Sequence, residues 1–151
     1  MCAASERSPG SRIIESSGPG DTERAGAELA GDLRPGAVVL VAGDLGTGKT
    51  TLVRGACRAL GVTGPITSPT FTIGNLYESA VGAVAHLDLY RLAGLDREDP
   101  DLLGDYLGPG RIAFIEWPDR AAAELACPTR SITLSHRGGD RRLIEVTEGS
   151  R

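Results

Sequence analysis

The sequence predicts an α/β fold in which helices flank a mostly parallel β-sheet and a β-hairpin ends the domain. Apolar runs of strand length alternate with segments whose apolar residues recur at helical spacing, an order typical of parallel α/β sheets. The run AVVLVAG at 37–43 is apolar throughout, as expected for a strand buried on both faces. Near the end, the turn sequence RGGD at 137–140 joins two further apolar segments and predicts the hairpin.

Length and composition indicate one globular domain. The chain has 151 residues, of which 40% are hydrophobic and 24% charged, enough for a single core. Residues 1–11 lack an apolar segment and are expected to form a disordered lead-in before a domain at 12–151. The net charge of −4 argues against nucleic-acid binding by charge alone, and no segment has the length of a membrane span.

The cysteines favour a cytoplasmic protein. Cys2, Cys57 and Cys127 are odd in number and have no metal-ligand spacing, which predicts free thiols in a reducing compartment. Cys57 falls on an apolar helical face and is expected in the core.

Caps and periodicity predict the elements of the first half. An edge strand is expected at Arg12–Glu15, and a helix near Asp21 or Thr22, because either side chain can cap its N-terminus. After the buried strand at 37–43, the apolar residues of 51–60 fall on one face of a second helix.

The second half is predicted to contain three strands, two short helices and a terminal hairpin of two strands. In chain order the ranges are strands at 71–77 and 83–90, a helix at 100–107, a strand at 111–116, a helix at 119–126, and hairpin strands at 131–136 and 141–146. The first short helix has Asp99 to cap it, Pro100 at its first position and Gly108 after its end.

The segment GDLGTGKT at 43–50 fits the Walker A pattern and contains the only lysine of the chain, Lys49. It follows a buried strand and opens a helix, which is the context that the motif requires. Glycines let backbone amides surround phosphate oxygens, and the helix N-terminus adds positive charge. A lysine can reach the β- and γ-phosphates where the planar fork of arginine fits poorly.

This motif predicts a nucleotide site and a P-loop NTPase-like fold. Lys49 would bind phosphates, and the Thr50 hydroxyl would bind Mg²⁺. The expected nucleotide-binding residues of the loop are Asp44, Leu45, Gly46, Thr47, Gly48, Lys49, Thr50 and Thr51. A guanine-reading Asn-Lys-x-Asp motif would need a second lysine, so ATP is the expected nucleotide.

A P-loop site needs a second acid near the metal, and two candidates stand at strand ends. Glu116 follows the apolar residues 112–115 and is the expected metal ligand, the alternative being a solvated strand-end glutamate. Asp88 in HLDLY is the other candidate, the alternative being a helix cap or a surface acid. Thr67, Ser68 and Thr70 offer hydroxyls where nucleotide switches often sense the γ-phosphate, the alternative being an ordinary loop.

Four segments in the same order, GDLGTGKTTLVRG, TSPTF, HLDLYRL and IEWPDR, resemble the bacterial TsaE family, small P-loop ATPases of tRNA threonylcarbamoyladenosine biosynthesis. The resemblance implies a compact domain that binds ATP and Mg²⁺ and hydrolyses ATP slowly alone. It also implies that the protein acts together with the threonylcarbamoyltransferase TsaD and its partner TsaB, and that it contacts tRNA only indirectly.

By motif match, the resemblance also assigns roles to single residues. It implies that Lys49 contacts phosphates and that Thr50 and Glu116 hold the metal. It gives Asp88 a part in the ATPase cycle, so that Lys49, Asp88 and Glu116 are the expected catalytic residues. Either Asp88 or Glu116 would orient the attacking water.

The resemblance further implies that Trp117 packs near the site and that Thr22 and Arg141 lie at the adenine. Two other functions stay open. A small-molecule P-loop kinase would need an arginine lid, for which Arg91 and Arg97 are available. A non-catalytic nucleotide-binding subunit would need no hydrolysis at all.

Overall fold

The computed structural model describes residues 10–70, 72–90, 103–118 and 127–149. In chain order the elements within these ranges are β1 (Ser11–Ser16), α1 (Pro19–Ala30), β2 (Val38–Ala42), α2 (Lys49–Ala59), β3 (Gly74–Ser79), β4 (Gly82–Asp88), β5 (Arg111–Glu116), β6 (Arg130–His136) and β7 (Arg142–Glu148). Neither helix in these ranges is long and apolar enough to cross a membrane. β1 begins one residue inside the predicted lead-in, whose first nine residues lie outside the described ranges.

All of these strands form one mixed sheet in the order β1-β7-β6-β2-β5-β4-β3. The pairs β6–β2, β2–β5 and β5–β4 are parallel, whereas β1–β7, β7–β6 and β4–β3 are antiparallel. The prediction of a mostly parallel sheet is therefore wrong, since only the four central strands run parallel. Short turns join β3 to β4 and β6 to β7, and a short turn can connect only antiparallel neighbours. The predicted C-terminal hairpin is confirmed as β6–β7.

Both described helices pack on the same face of the sheet, where they share one apolar core with strand residues such as Phe114 and Ile132. The two helices also contact each other closely. A Cβ atom placed on Gly55 of α2 would lie 1.9 Å from the carbonyl oxygen of Glu23 in α1. A glycine at this position therefore lets the helix backbones approach and places the start of α1 beside α2.

The opposite face of the sheet has a second, smaller core. It includes Leu87, Ile115 and Leu103, the last of which lies in the range predicted as a short helix at 100–107. Of that range the structure describes 103–107, where the Leu107 amide donates to the Leu103 carbonyl at 2.9 Å and forms one turn. The predicted helix at 119–126 lies outside the described residues.

Several element boundaries differ from the predicted ones. α1 begins at Pro19 with Gly18 as its N-cap and has no capping side chain, so neither Asp21 nor Thr22 caps it. Proline at the first position already has the helical φ value, which explains the earlier start. α2 likewise begins at Lys49, two residues before the predicted range.

The predicted free thiols are found at one of the two described cysteines. Cys57 is a buried free thiol in the helix-side core. Burial raises its pKa to about 12. Cys127 is disulfide-bonded, so that part of the prediction is wrong. Sequence spacing does not report which sulfur atoms meet in the folded chain.

Candidate functional site

The Walker A segment joins β2, at the centre of the sheet, to the N-terminus of α2. The N-cap of α2 is Gly48, which has a φ of 98° and forms no side-chain cap. No acidic residue lies in the first turn of the helix. The amides at this helix end are therefore open to an external anion, which the helix dipole also attracts.

The start of the loop has room only for glycine. Gly43 has a φ of 148°, and a Cβ atom there would lie 2.6 Å from the Leu134 carbonyl oxygen and 2.7 Å from the Thr47 hydroxyl. Thr47 is buried and its hydroxyl donates to the Asp44 carbonyl at 2.8 Å. These contacts curl the loop over the carboxyl end of β2.

Lys49 lies inside this curl with only 6% of its surface exposed. Its Nζ donates to the carbonyl oxygens of Gly43 at 2.8 Å and Asp44 at 2.9 Å. Nζ also lies 4.4 Å from the ring centroid of Trp117, within the range of a cation–π contact. Burial lowers the pKa of Lys49, and the carboxylates of Glu116, Asp88 and Asp44 oppose that shift.

Thr50, the next residue, contacts two oxygen-bearing side chains. Its Oγ1 lies 3.0 Å from Oε1 and 3.2 Å from Oε2 of Glu116, and 2.7 Å from the Ser68 hydroxyl. A carboxylate can only accept, so the Thr50 hydroxyl donates to Glu116 and accepts from Ser68. The hydroxyl predicted from the motif and the acid predicted from the end of β5 are thus in direct contact.

Glu116 is buried with a partner that the sequence analysis did not select. Glu116 is 2% exposed, and its Oε2 lies 2.9 Å from Nε2 of His86, which is fully buried. The sequence could have indicated His86, because it lies two residues before Asp88 on the same strand. Side chains at this spacing point to the same face of a sheet. Asp88 was selected alone because the prediction concerned an acid at the end of a strand.

Asp88 ends β4 beside Glu116 at the end of β5, and the two Cα atoms are register partners. Its Oδ1 accepts a hydrogen bond from the Tyr90 amide at 3.0 Å. Burial raises the pKa of Asp88, and the neighbouring Glu116 carboxylate adds to this rise. Hydrogen bonding to the Tyr90 amide and the charges of His86 and Lys49 oppose it.

An open cavity of about 330 Å³ brings most of the predicted residues together at the start of α2. Its lining consists of Leu45, Gly46, Gly48, Lys49, Thr50, Thr51, Ser68, Asp88, Glu116 and Trp117. Asp44 and Thr47 line adjoining cavities instead. Trp117 follows Glu116 with a left-handed φ of 58°, and its ring lies 4.9 Å from that of Tyr90.

The two residues expected at the adenine have different positions. Thr22 is buried beside the loop, where its hydroxyl lies 2.7 Å from that of Ser16, and it lines a cavity of about 170 Å³ with Gly46 and Arg142. Arg141 lines a separate cavity and donates to a carbonyl of its own turn. The neighbouring Arg142 donates to the Gly46 carbonyl at 3.2 Å, so Arg142 is the hairpin arginine that touches the loop.

The side chains fit a hydrated divalent cation better than an all-protein metal cage. No group of three or more His, Cys, Asp or Glu side chains able to hold a metal occurs among the described residues. Thr50 and Glu116 offer two oxygen ligands at the cavity, and Mg²⁺ usually takes one or two protein ligands plus waters and phosphate oxygens. Arg91 and Arg97, the arginines considered for a kinase lid, lie outside the described residues.

Comparison with known proteins identifies the family. The profile described as "Threonylcarbamoyl adenosine biosynthesis protein TsaE" matches residues 16–144. The chain belongs to the TsaE family. The resemblance of its four motifs to that family is thereby confirmed.

Curated relatives of the chain are named tRNA threonylcarbamoyladenosine biosynthesis protein TsaE. The relative from Nostoc sp. is 44% identical over 132 residues, covering 83% of this chain and 79% of that protein. The relative from Bacillus subtilis is 34% identical over 130 residues, covering 85% and 80%. The relative from Synechocystis sp. is 44% identical over 109 residues, covering 66% and 65%.

A solved structure supports the same fold for this TsaE-family chain. The crystal structure of Bacillus subtilis YdiB matches with a TM-score of 0.73 and 29% sequence identity. The match covers 95% of this chain and 88% of YdiB. The mixed sheet with its two described helices is therefore similar in architecture to YdiB.

Proposed function

We propose that this TsaE-family protein is a Mg²⁺-dependent ATPase that serves tRNA threonylcarbamoyladenosine biosynthesis, the process for which its relatives are named. The observation that carries the ATPase proposal is the convergence of Lys49, Thr50 and Glu116 at an uncapped helix N-terminus. An ammonium, a hydroxyl and a carboxylate at such an end match the needs of a metal–triphosphate complex.

Lys49 would bind the β- and γ-phosphates of ATP. Its ammonium has three donors, and two of them now bind the carbonyls of Gly43 and Asp44. The third donor remains for a phosphate oxygen, and exchange of a neutral carbonyl for an anionic oxygen would give a stronger charge-assisted bond. The loop amides and the N-terminus of α2 would bind the remaining phosphate oxygens.

Thr50 and Glu116 would hold Mg²⁺, which when bound supplies positive charge to the phosphate oxygens. Both Glu116 oxygens are already engaged, by Thr50 and by His86. This engagement makes Glu116 the fixed acid on the metal side and leaves Asp88 as the residue that orients the attacking water. Asp88 must accept a hydrogen bond from that water, so it works in its ionised form.

The partner is proposed from family and charge together. With a net charge of −4, the protein is a poor direct reader of tRNA, so we place its action on the transferase TsaD and its partner TsaB, in the cytoplasm. Leu45 and Tyr90 are 65% and 43% exposed, and Leu45 lines the cavity. Exposed apolar side chains beside a nucleotide site suit docking that depends on the bound nucleotide.

Depletion of the protein followed by mass spectrometry of tRNA nucleosides tests this function. Loss of threonylcarbamoyladenosine that the wild-type gene restores supports it. An Asp88→Asn variant that binds ATP without hydrolysing it then separates the alternatives, because a non-catalytic subunit would still restore the modified nucleoside. Normal nucleoside levels after depletion would refute the proposal, and turnover that needs one small-molecule acceptor would favour a kinase.

A further inference from the structure

His86 and Glu116 form a fully buried polar pair on the helix side of the sheet. His86 lies on β4 opposite Phe114 of β5, so Glu116 is its diagonal neighbour two residues along the partner strand. Their contact, from Nε2 to Oε2, is 2.9 Å. Phe114 and Val84, on the same face of the two strands, belong to the helix-side core.

The hydrogen-bond pattern defines which imidazole nitrogen carries the proton. The Glu116 carboxylate is an acceptor, so Nε2 of His86 must be the donor. Nδ1 of His86 is buried and has no hydrogen-bond partner within the described part of the chain. Among the described residues, the bond from Nε2 to Glu116 is therefore the only side-chain hydrogen bond that the buried ring makes.

Glu116 is consequently held from two sides. His86 binds Oε2 from within the core, and Thr50 donates to the carboxylate from the cavity side. Without His86, the carboxylate would keep only contacts near the mouth of the cavity and could rotate about its own side-chain bonds. A buried acid that has lost one donor also carries an unpaid desolvation cost.

We infer that His86 is a positioning residue, which fixes the Glu116 carboxylate in the orientation that binds the divalent cation of the nucleotide complex. The inference rests on the proposed ATPase function and extends it to a residue that touches neither the nucleotide nor the metal. Partners that orient a metal ligand in this way usually change metal affinity by about 10- to 100-fold when they are removed.

The test compares ATP binding by calorimetry across a series of Mg²⁺ concentrations and in EDTA. His86→Leu removes the donor at similar volume, and His86→Gln restores an N–H at nearly the position of Nε2. We expect His86→Leu to need about tenfold more Mg²⁺ than wild type for the half-maximal gain in ATP affinity. Its ATP affinity in EDTA should be unchanged, and His86→Gln should behave like wild type in both conditions. Val84→Ala, on the same strand and face, controls for loss of stability alone.

The outcomes separate this inference from the proposed function. Wild-type protein that binds ATP equally well in Mg²⁺ and in EDTA would contradict the metal site itself and thus both proposals. If His86→Leu shows the same dependence of ATP affinity on Mg²⁺ concentration as wild type, only the role of His86 would be overturned.

A measurement on protein that retains His86 covers the case in which His86→Leu does not fold. The chain has two histidines, so a His136→Gln variant assigns both imidazoles in a nitrogen–proton correlation spectrum. We expect the His86 hydrogen on Nε2 without nucleotide, and a shift of its resonances in Glu116→Gln. A ring with no hydrogen on Nε2, or no response to Glu116→Gln, would overturn the inference.

Discussion

Asp88 and Glu116 are paired across two parallel strands, so two carboxylates end side by side at the same edge of the sheet. Their environments differ. Glu116 is buried and bound by His86 and Thr50, whereas Asp88 is half-buried and faces the cavity. The carboxyl ends of parallel strands are where α/β proteins usually bind ligands, and here each acid is prepared for a different task.

Substitution of the two acids should separate metal binding from hydrolysis. Glu116→Ala is expected to retain some ATP binding in EDTA but to lose Mg²⁺-dependent turnover, because a ligand of the cation is gone. Asp88→Asn is expected to keep the Mg²⁺-dependence of binding and to lose turnover at least 100-fold. Calorimetry and phosphate release would measure the two properties, and normal hydrolysis by Glu116→Ala would show that the metal assignment is wrong.

Lys49→Arg should fail to replace lysine although it keeps the charge. The space around Nζ is closed by the Gly43 and Asp44 carbonyls and the Trp117 ring, and a planar guanidinium is broader than an ammonium. We expect ATP affinity to fall at least tenfold in Lys49→Arg and further in Lys49→Ala. Arg54→Lys is the matched control, because Arg54 of α2 pairs with Glu23 of α1 and does not line the cavity. Equal affinity of Lys49→Arg and wild type would contradict the prediction.

Trp117 should report nucleotide binding by fluorescence. It is the only tryptophan of the chain, and its ring lies against Lys49 Nζ and Tyr90. Movement of the ammonium toward phosphates would remove a cation from the ring face, so titration with ATP and Mg²⁺ should change the emission intensity. Lys49→Met should already emit differently and respond weakly; an unchanged spectrum on wild-type binding would mean that Lys49 stays against Trp117.

Gly55→Ala should destabilise the fold through the contact between α1 and α2. The new Cβ would lie 1.9 Å from the Glu23 carbonyl, so the helices must separate, at a cost of about 1–3 kcal/mol or more. Gly20→Ala in α1 is the control, because its Cβ meets open space and should raise stability by about 0.4–1 kcal/mol. Urea unfolding of both variants measures the difference, and equal midpoints would contradict the close approach of the helices.

Asp32 should contribute to stability only above acidic pH. A hydrogen bond from Arg130 lowers the pKa of Asp32 in the folded state. Asp32 therefore stabilises the fold at pH values above its pKa in the unfolded chain, and this contribution is lost as the pH falls through its lower pKa in the folded state. Asp32→Asn should therefore reduce stability at pH 7 and flatten its decline below about pH 4. The side chain is largely exposed, which limits the effect to less than about 1 kcal/mol.

Thermal melts across pH measure this effect, with Asp140→Asn on the exposed hairpin turn as a control for net charge. A parallel decline of Asp32→Asn and wild type in acid would show that the ion pair with Arg130 contributes nothing measurable.

The sequence by itself determined the features that depend on local pattern. The apolar run of β2, the glycine-rich loop and the apolar face of α2 specify a strand, a turn and a helix in direct succession, and the hairpin turn is equally local. The family followed from four motifs in order. These features were predictable because the physical cause, a period of apolar residues or a backbone angle that glycine tolerates, lies within a few residues of its effect.

Only the tertiary structure decided which distant residues meet. Strand pairing sets the mixed sheet, brings His86 of β4 to Glu116 of β5, and makes Arg142 rather than Arg141 the contact of the loop. Each result depends on register between strands far apart in sequence, and a shift of one residue turns a side chain to the other face. Packing and hydrogen bonding across the whole sheet select that register, so no local pattern can report it.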